Sequence, residues 1–181
     1  MQHVPQLRTV RIGALLLMIP VAAETVYYAY RAFSRGWRFS FGDPERWNSH
    51  WRVDPGTVIE MAPRVGYFAI WTVVVLSSLL CFLVGLYLLN RVRKGLVFDR
   101  HSAETVRVLG LCLAAAMVID QVYQAADAYL ITRFNAAGPE PIRWFYDPSD
   151  IKSGILAVIL ILFGWIMRRG IEIAQENRGF V

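Results

Sequence analysis

The stretch VGYFAIWTVVVLSSLLCFLVGLYLL, residues 65–89, contains no charge, and none occurs anywhere between Arg64 and Arg91. A helix rising 1.5 Å per residue needs about 20 apolar residues to cross ~30 Å of hydrocarbon. This run exceeds that length, and both its ends are marked by arginine. It reads as a transmembrane helix.

Working outward, three similar runs follow the same pattern, at about residues 12–30, 106–131 and 151–167. Hydrophobic residues make up 56% of the chain and charged ones 18%, against roughly 45–50% and 25% in soluble domains. The apolar excess sits in blocks, so the chain is expected to be one all-α membrane domain, a four-helix bundle spanning residues 1–181. The loops are then 31–64 and 132–150 on one side, with the linker 90–105 and tail 168–181 on the other.

The first run has a rival reading. Arg8 and Arg11 precede an apolar core ending in Val21-Ala22-Ala23, as in a cleavable signal peptide. Val26, Tyr27, Tyr28 and Tyr30 carry the apolar character past that point and favour a retained span. Basic residues crowd the short flanks at Arg8 and Arg11, at Arg91, Arg93, Lys94, Arg100 and Arg107, and at Arg168, Arg169 and Arg178. Such flanks favour the cytoplasm, which puts both termini on the cytoplasmic side of an inner (plasma) membrane.

In the longer loops, Asp43-Pro44 reads as a helix cap with Trp47 and Trp51 one turn apart, predicting a short amphipathic helix at the membrane surface. Asp147-Pro148 repeats the cap ahead of the fourth span, and Asp150 suits the positive end of that helix. Trp37, Phe39, Phe41, Trp144, Phe145 and Tyr146 form an aromatic collar on this side.

Inside the spans the polar residues are few. Glu24 lies in the first, and Asp120, Tyr123, Gln124 and Asp127 share one face of the third, with Gln121 offset. A carboxylate in the bilayer centre costs roughly 2.5–3.5 kcal/mol, so these residues should face the bundle interior. They line either an aqueous pocket for a proton, cation or small ligand, or a set of interhelical hydrogen bonds. Glu24 and Asp120 sit at similar depth and would perturb each other if they approached.

Several chemistries lack their residues. His3, His50 and His101 lie outside the spans, which removes paired intramembrane haem ligands. No zinc spacing, phosphate-binding glycine loop or G-x-S-x-G elbow occurs. Cys81 and Cys112 fall inside apolar runs and read as small hydrophobes. The expectation is a non-enzyme without metal or cofactor and without direct nucleic-acid binding. Gly66, Gly85, Gly110, Gly154 and Gly164 are expected to let helices pack closely.

Two stretches carry a resemblance. The linker Asn90-Arg91-Val92-Arg93-Lys94-Gly95-Leu96-Val97-Phe98, leading through Ser102 and Glu104 to Leu109-Gly110, resembles that of a bacterial membrane family, domain of unknown function 2975. Arg168-Arg169-Gly170-Ile171-Glu172, with Gln175-Glu176-Asn177 and Val181, is similar to the closing segment of that family; Trp165 and Arg169 depart from the acidic residues expected there. The likeness covers the last three spans, and the first by hydropathy alone. It implies four spans and no established activity. Family members are often encoded beside a small helix-turn-helix regulator, which implies a membrane partner that senses for, or restrains, a transcription factor.

Physically, Arg91, Arg93, Lys94, Gly95 and Phe98 form a basic turn with one aromatic anchor, suited to a cytoplasmic partner or to anionic lipid. The alternatives are a small proton- or cation-coupled transporter or channel subunit working through Glu24, Asp120 and Asp127, and an accessory subunit of a larger complex. Homo-oligomerisation is a further expectation.

Overall fold

The computed structural model describes residues 5–42, 54, 61–139 and 148–178. It comprises α1 (Pro5–Phe41), α2 (Met61–Arg93), α3 (Arg100–Thr132) and α4 (Pro148–Arg178), with no strand among the described residues. All four are long and apolar enough to cross a membrane, so the chain is a multi-pass membrane protein with four spanning helices among the described residues. The expected surface helix at Asp43-Pro44 with Trp47 and Trp51, the cap at Asp147, and Trp144, Phe145 and Tyr146 lie outside the described residues.

Each helix outruns the apolar stretch that marks it. At 31–37 residues they are well over the ~20 that span hydrocarbon. The largest difference is in α1, which continues past Tyr30 to Phe41, so the loop expected from residue 31 begins only at Gly42. Nothing in residues 31–41 forces a stop, and Arg38 in the last turn suits the negative end of the helix. The other end of α2 has a physical stop. Gly95 takes φ +81°, its N–H donates to the Val92 carbonyl (2.9 Å), and the Leu96 N–H donates to the Arg91 carbonyl (3.0 Å). That pair of bonds is a Schellman closure, which needs a residue content in the left-handed region. Asp99 then caps α3 by accepting from the Ser102 N–H (2.9 Å).

The helices pack extensively in chain order, α1 on α2, α2 on α3 and α3 on α4. α2 and α3 are therefore the two inner elements, and α3 is the more buried, with 28% of its apolar window buried against 11% for each of the others. Its buried positions, Ala103, Val106, Gly110, Gln121, Ala125, Ala128 and Thr132, are mostly small and follow helical spacing. Large apolar side chains such as Leu16, Val73, Leu83, Val118, Ile155 and Phe163 point outward. In water that surface would be untenable; in lipid it is the expected exterior.

Among the described glycines, close approach to the backbone of another helix is confined to α3 and α4. A Cβ on Gly110 would stand 2.8 Å from the Ala157 carbonyl oxygen, and one on Gly164 would stand 2.8 Å from the Ala103 oxygen and the Arg107 nitrogen. Gly154 faces only the flexible Met117 sulfur, and around Gly66 and Gly85 nothing lies within 4 Å. Two of the five expected packing glycines therefore act as such against backbone, and Gly66 and Gly85 do not.

At the end of the bundle bearing the long loops, aromatic side chains join α1, α2 and α3. The Trp71 indole donates to the Ala32 carbonyl (2.9 Å) and lies against Gly36, where no side chain would fit. Tyr67 and Ile131 are buried with Phe39, Trp71, Tyr123 and Phe134 packed around them. Asp54 ties the two loops together, its N–H donating to Asn135 Oδ1 (3.1 Å) and its carboxylate accepting from the Ala136 N–H (2.9 Å).

Candidate functional site

Two places attract attention, a braced turn between α2 and α3 and a polar layer near the loop end. At the turn, Arg91 reaches across from the last turn of α2. Its Nε donates to Ser102 Oγ (3.1 Å), its Nη2 is ion-paired with Asp99 Oδ2, and its Nη1 donates to the Tyr87 hydroxyl (3.4 Å). Ser102, 1% exposed, donates in turn to the Leu96 carbonyl (2.6 Å). One guanidinium thus connects the end of α2, the turn and the cap of α3. Burial pushes the Asp99 carboxyl up, but the hydrogen bonds from Ser102 and the Arg91 charge outweigh it and hold the group below its ordinary value.

Gly95 matters at this turn for a second reason. The Arg11 guanidinium of α1 lies against it, and a Cβ there would collide with that group. Arg93 and Lys94 are exposed, and Phe98 is 80% exposed, the most of any large hydrophobic side chain among the described residues. Phe98 also forms one wall of an open groove of about 500 Å³, completed by Phe163, Met167, Ile171 and Ala174 of α4. The five residues singled out by sequence thus fall on one turn, but in two roles. Arg91 and Gly95 build it, whereas Arg93, Lys94 and Phe98 are displayed by it.

The polar layer is less unified than its helical spacing suggests. Gln124 Nε2 donates to Asp120 Oδ2 (2.9 Å), so those two partner each other one turn apart. Tyr123 turns instead to α2, its hydroxyl 3.0 Å from that of Tyr67, and packs against Trp71 with ring centres 5.4 Å apart. Asp127 follows at the loop end of the same helix, half-buried. Glu24 is exposed on α1, which packs along α2 and not extensively along α3. No group of three His, Cys, Asp or Glu side chains converges among the described residues. Glu24 and Asp120 lie on helices that do not pack extensively on each other, with α2 between them in the packing order.

Sequence reasoning passed over Gln121. It is 6% exposed, donates from Nε2 to Asp150 Oδ2 at the start of α4 (2.9 Å), and keeps its Oε1 buried without a hydrogen-bond partner among the described residues. The signal was present in the small residues. Gln121 keeps register with Gly110, Ala125 and Ala128, which choose the buried face of α3. It lines, with Met117, Gly154 and Ile155, an almost wholly apolar hollow of about 390 Å³ between α3 and α4.

A family model described as "Protein of unknown function (DUF2975)" matches residues 43–178. That region contains α2, α3 and α4 with the braced turn. No curated protein and no solved structure matches significantly.

Proposed function

The chain belongs to the DUF2975 family, and from that premise we propose that it is a non-enzymatic inner-membrane protein acting as sensory or regulatory partner of a cytoplasmic helix-turn-helix regulator. On this proposal both termini and the α2–α3 turn face the cytoplasm. The basic residues Arg11, Arg91, Arg93, Lys94, Arg100, Arg107, Arg168 and Arg169 at that end support this orientation. The observation that carries the reading is Phe98. A phenylalanine 80% exposed on a turn held by Arg91, Asp99 and Ser102 is an aromatic anchor whose ordering cost is already met. The groove beside it extends the apolar contact onto α4.

The test is affinity capture of the tagged protein from membranes, followed by mass spectrometry and a transcriptional reporter for the regulator recovered. Wild type is expected to retain a helix-turn-helix protein, and Phe98→Ser to lose it without loss of folded protein. Recovery of no cytoplasmic regulator would defeat the proposal. A transport reading has less support, since Asp120 already accepts from Gln124 and Glu24 stands on a separate exposed face. Cation flux in proteoliposomes that disappears in Asp120→Asn would reverse that judgement.

A further inference from the structure

At the turn end of α3 and α4 a cleft of about 340 Å³ is lined by Arg107, Trp165, Arg168, Arg169 and Glu172. We propose that it holds the headgroup phosphate of an anionic phospholipid.

The cleft follows from the crossing just beside it. Gly164 brings α4 onto the Ala103 oxygen and Arg107 nitrogen of α3, so the Arg107 side chain leaves its helix where the two backbones are closest. Trp165, next to Gly164, is thereby held on the lipid-facing surface at 61% exposure. Arg168 and Arg169 follow one turn later. Glu172 accepts from Arg168 Nε and from Arg169 Nη1, each at 3.2 Å. That carboxylate neutralises one positive charge and orients two guanidiniums. No described carboxylate pairs with Arg107, because the neighbouring Glu104 is engaged by Arg100 (3.6 Å). Three cations and one anion leave the cleft at +2, with planar donor forks suited to phosphate oxygens.

The surroundings select a lipid over a free anion. Tryptophan is favoured at the level of the headgroups, with its ring apolar on one side and its N–H toward water. From the cleft toward the membrane centre, Leu111 lies one turn from Arg107 and Leu162 one turn from Trp165; both are exposed and offer a path for an acyl chain. Basic pockets between transmembrane helices on a membrane's inner face are suited to anionic headgroups for the same reasons. The site shares no residue with the Phe98 groove, so it stands whether or not a regulator docks there.

The experiment measures lipid retained by the purified full-length protein, by native mass spectrometry in neutral detergent. Phosphatidylglycerol and phosphatidylcholine are offered at equal concentration. Phosphatidylglycerol is expected to be retained preferentially, about fivefold more weakly in Arg107→Gln, since one basic residue near the surface contributes ~1 kcal/mol. Arg107→Lys should keep most of the preference and Arg38→Gln, at the loop end, all of it. Glutamine keeps the Cβ of Arg107, so the Gly164 contact is preserved. Should that variant nonetheless fail to fold, Arg169→Gln on the exposed rim is expected to give a loss of the same order. Equal retention of the two lipids, or unchanged preference in both glutamine variants, would overturn the proposal. Competition by inorganic phosphate at the lipid's own concentration would overturn it too, in favour of a free-anion site.

Discussion

Substituting alanine at four helix glycines should separate them by sign, not merely by size. In Gly110→Ala the new methyl would sit 2.8 Å from both the Ala157 oxygen and Ile161 Cγ1, and in Gly164→Ala 2.8 Å from the Ala103 oxygen and the Arg107 nitrogen. Favourable contact between heavy atoms begins near 3.5 Å, and the obstructing atoms are chiefly backbone, which cannot swing aside. α3 and α4 must part along their whole crossing. Overpacking of this kind costs about 1–3 kcal/mol. Against it stands the gain of alanine over glycine in a helix, roughly 0.5–1 kcal/mol. The net effect is destabilising by up to about 2.5 kcal/mol at each site. For Gly66→Ala and Gly85→Ala, where nothing lies within 4 Å, only the gain remains. Thermal unfolding in detergent reads the difference, at about 2–4 °C per kcal/mol for a chain of this size. Gly110→Ala and Gly164→Ala should melt lower than wild type, Gly66→Ala and Gly85→Ala slightly higher. The double variant Gly110→Ala/Gly164→Ala should lose less than the sum, since the first methyl already separates the helices. Equal losses at all four positions would refute the reasoning.

Other consequences are quicker to state. Tyr67→Phe and Tyr123→Phe, combined in a double-mutant cycle, should show a coupling of about 0.5–1.5 kcal/mol in unfolding, whereas strict additivity would mean that the hydroxyls do not bond. Trp71→Phe should cost about 1 kcal/mol by the same assay through loss of the indole donation to Ala32, and a neutral result would discount that link between α1 and α2. Because Asp99 is held below its ordinary value, its contribution to stability is complete above the unfolded carboxyl range near pH 4 and is lost as pH falls through the lower folded value. Unfolding midpoints of wild type and Asp99→Asn should therefore differ by a constant amount above about pH 5 and converge below it; a gap that widens in acid would contradict the assigned pairing.

The helices were legible because hydropathy is a one-dimensional property, and no partner is needed to see that residues 65–89 belong in lipid. The braced turn was legible for a related reason. Gly95 with its positive φ, the Asp99 cap and the basic neighbours are local devices acting within a dozen residues. The polar layer was not, because a face on a helix acquires meaning only when its neighbour is known. Asp120, Tyr123, Gln124 and Asp127 satisfy helical spacing, yet Tyr123 bonds to α2 while Gln124 bonds within α3. The residue that contacts α4, Gln121, lies among alanines and glycines. In a membrane, small residues, more than polar ones, decide which side of a helix meets another. The same limit hid the sorting of glycines, since Gly85 and Gly110 look alike until Ile161 is placed against one of them.

On the proposed reading, what passes from the loop end to the turn end along α4 has to involve α3, because among the described helices α4 packs extensively on α3 alone. The two contacts of α3 differ in kind. Toward α4 the crossings at Gly110 and Gly164 touch backbone, and interfaces packed that closely shift between discrete arrangements and do not deform smoothly. Toward α2, Arg91 fastens the turn to the cap of α3, so these two helix ends move together. Sliding between α2 and α3 at the turn end would break that network, whereas a change in the α3–α4 crossing leaves it intact. The Gln121–Asp150 hydrogen bond sits on that crossing near the loop end, and both the Phe98 groove and the arginine cleft lie along α4 at the other. A perturbation at Asp150 therefore has a mechanical route to both surfaces through α4, and Gln121→Leu, which removes the donor while keeping the bulk, tests it. The variant should alter phosphatidylglycerol retention at Arg107 while leaving the acid limb set by Asp99 unchanged; a shift in the Asp99 limb with no change in lipid retention would place the moving part at the turn instead.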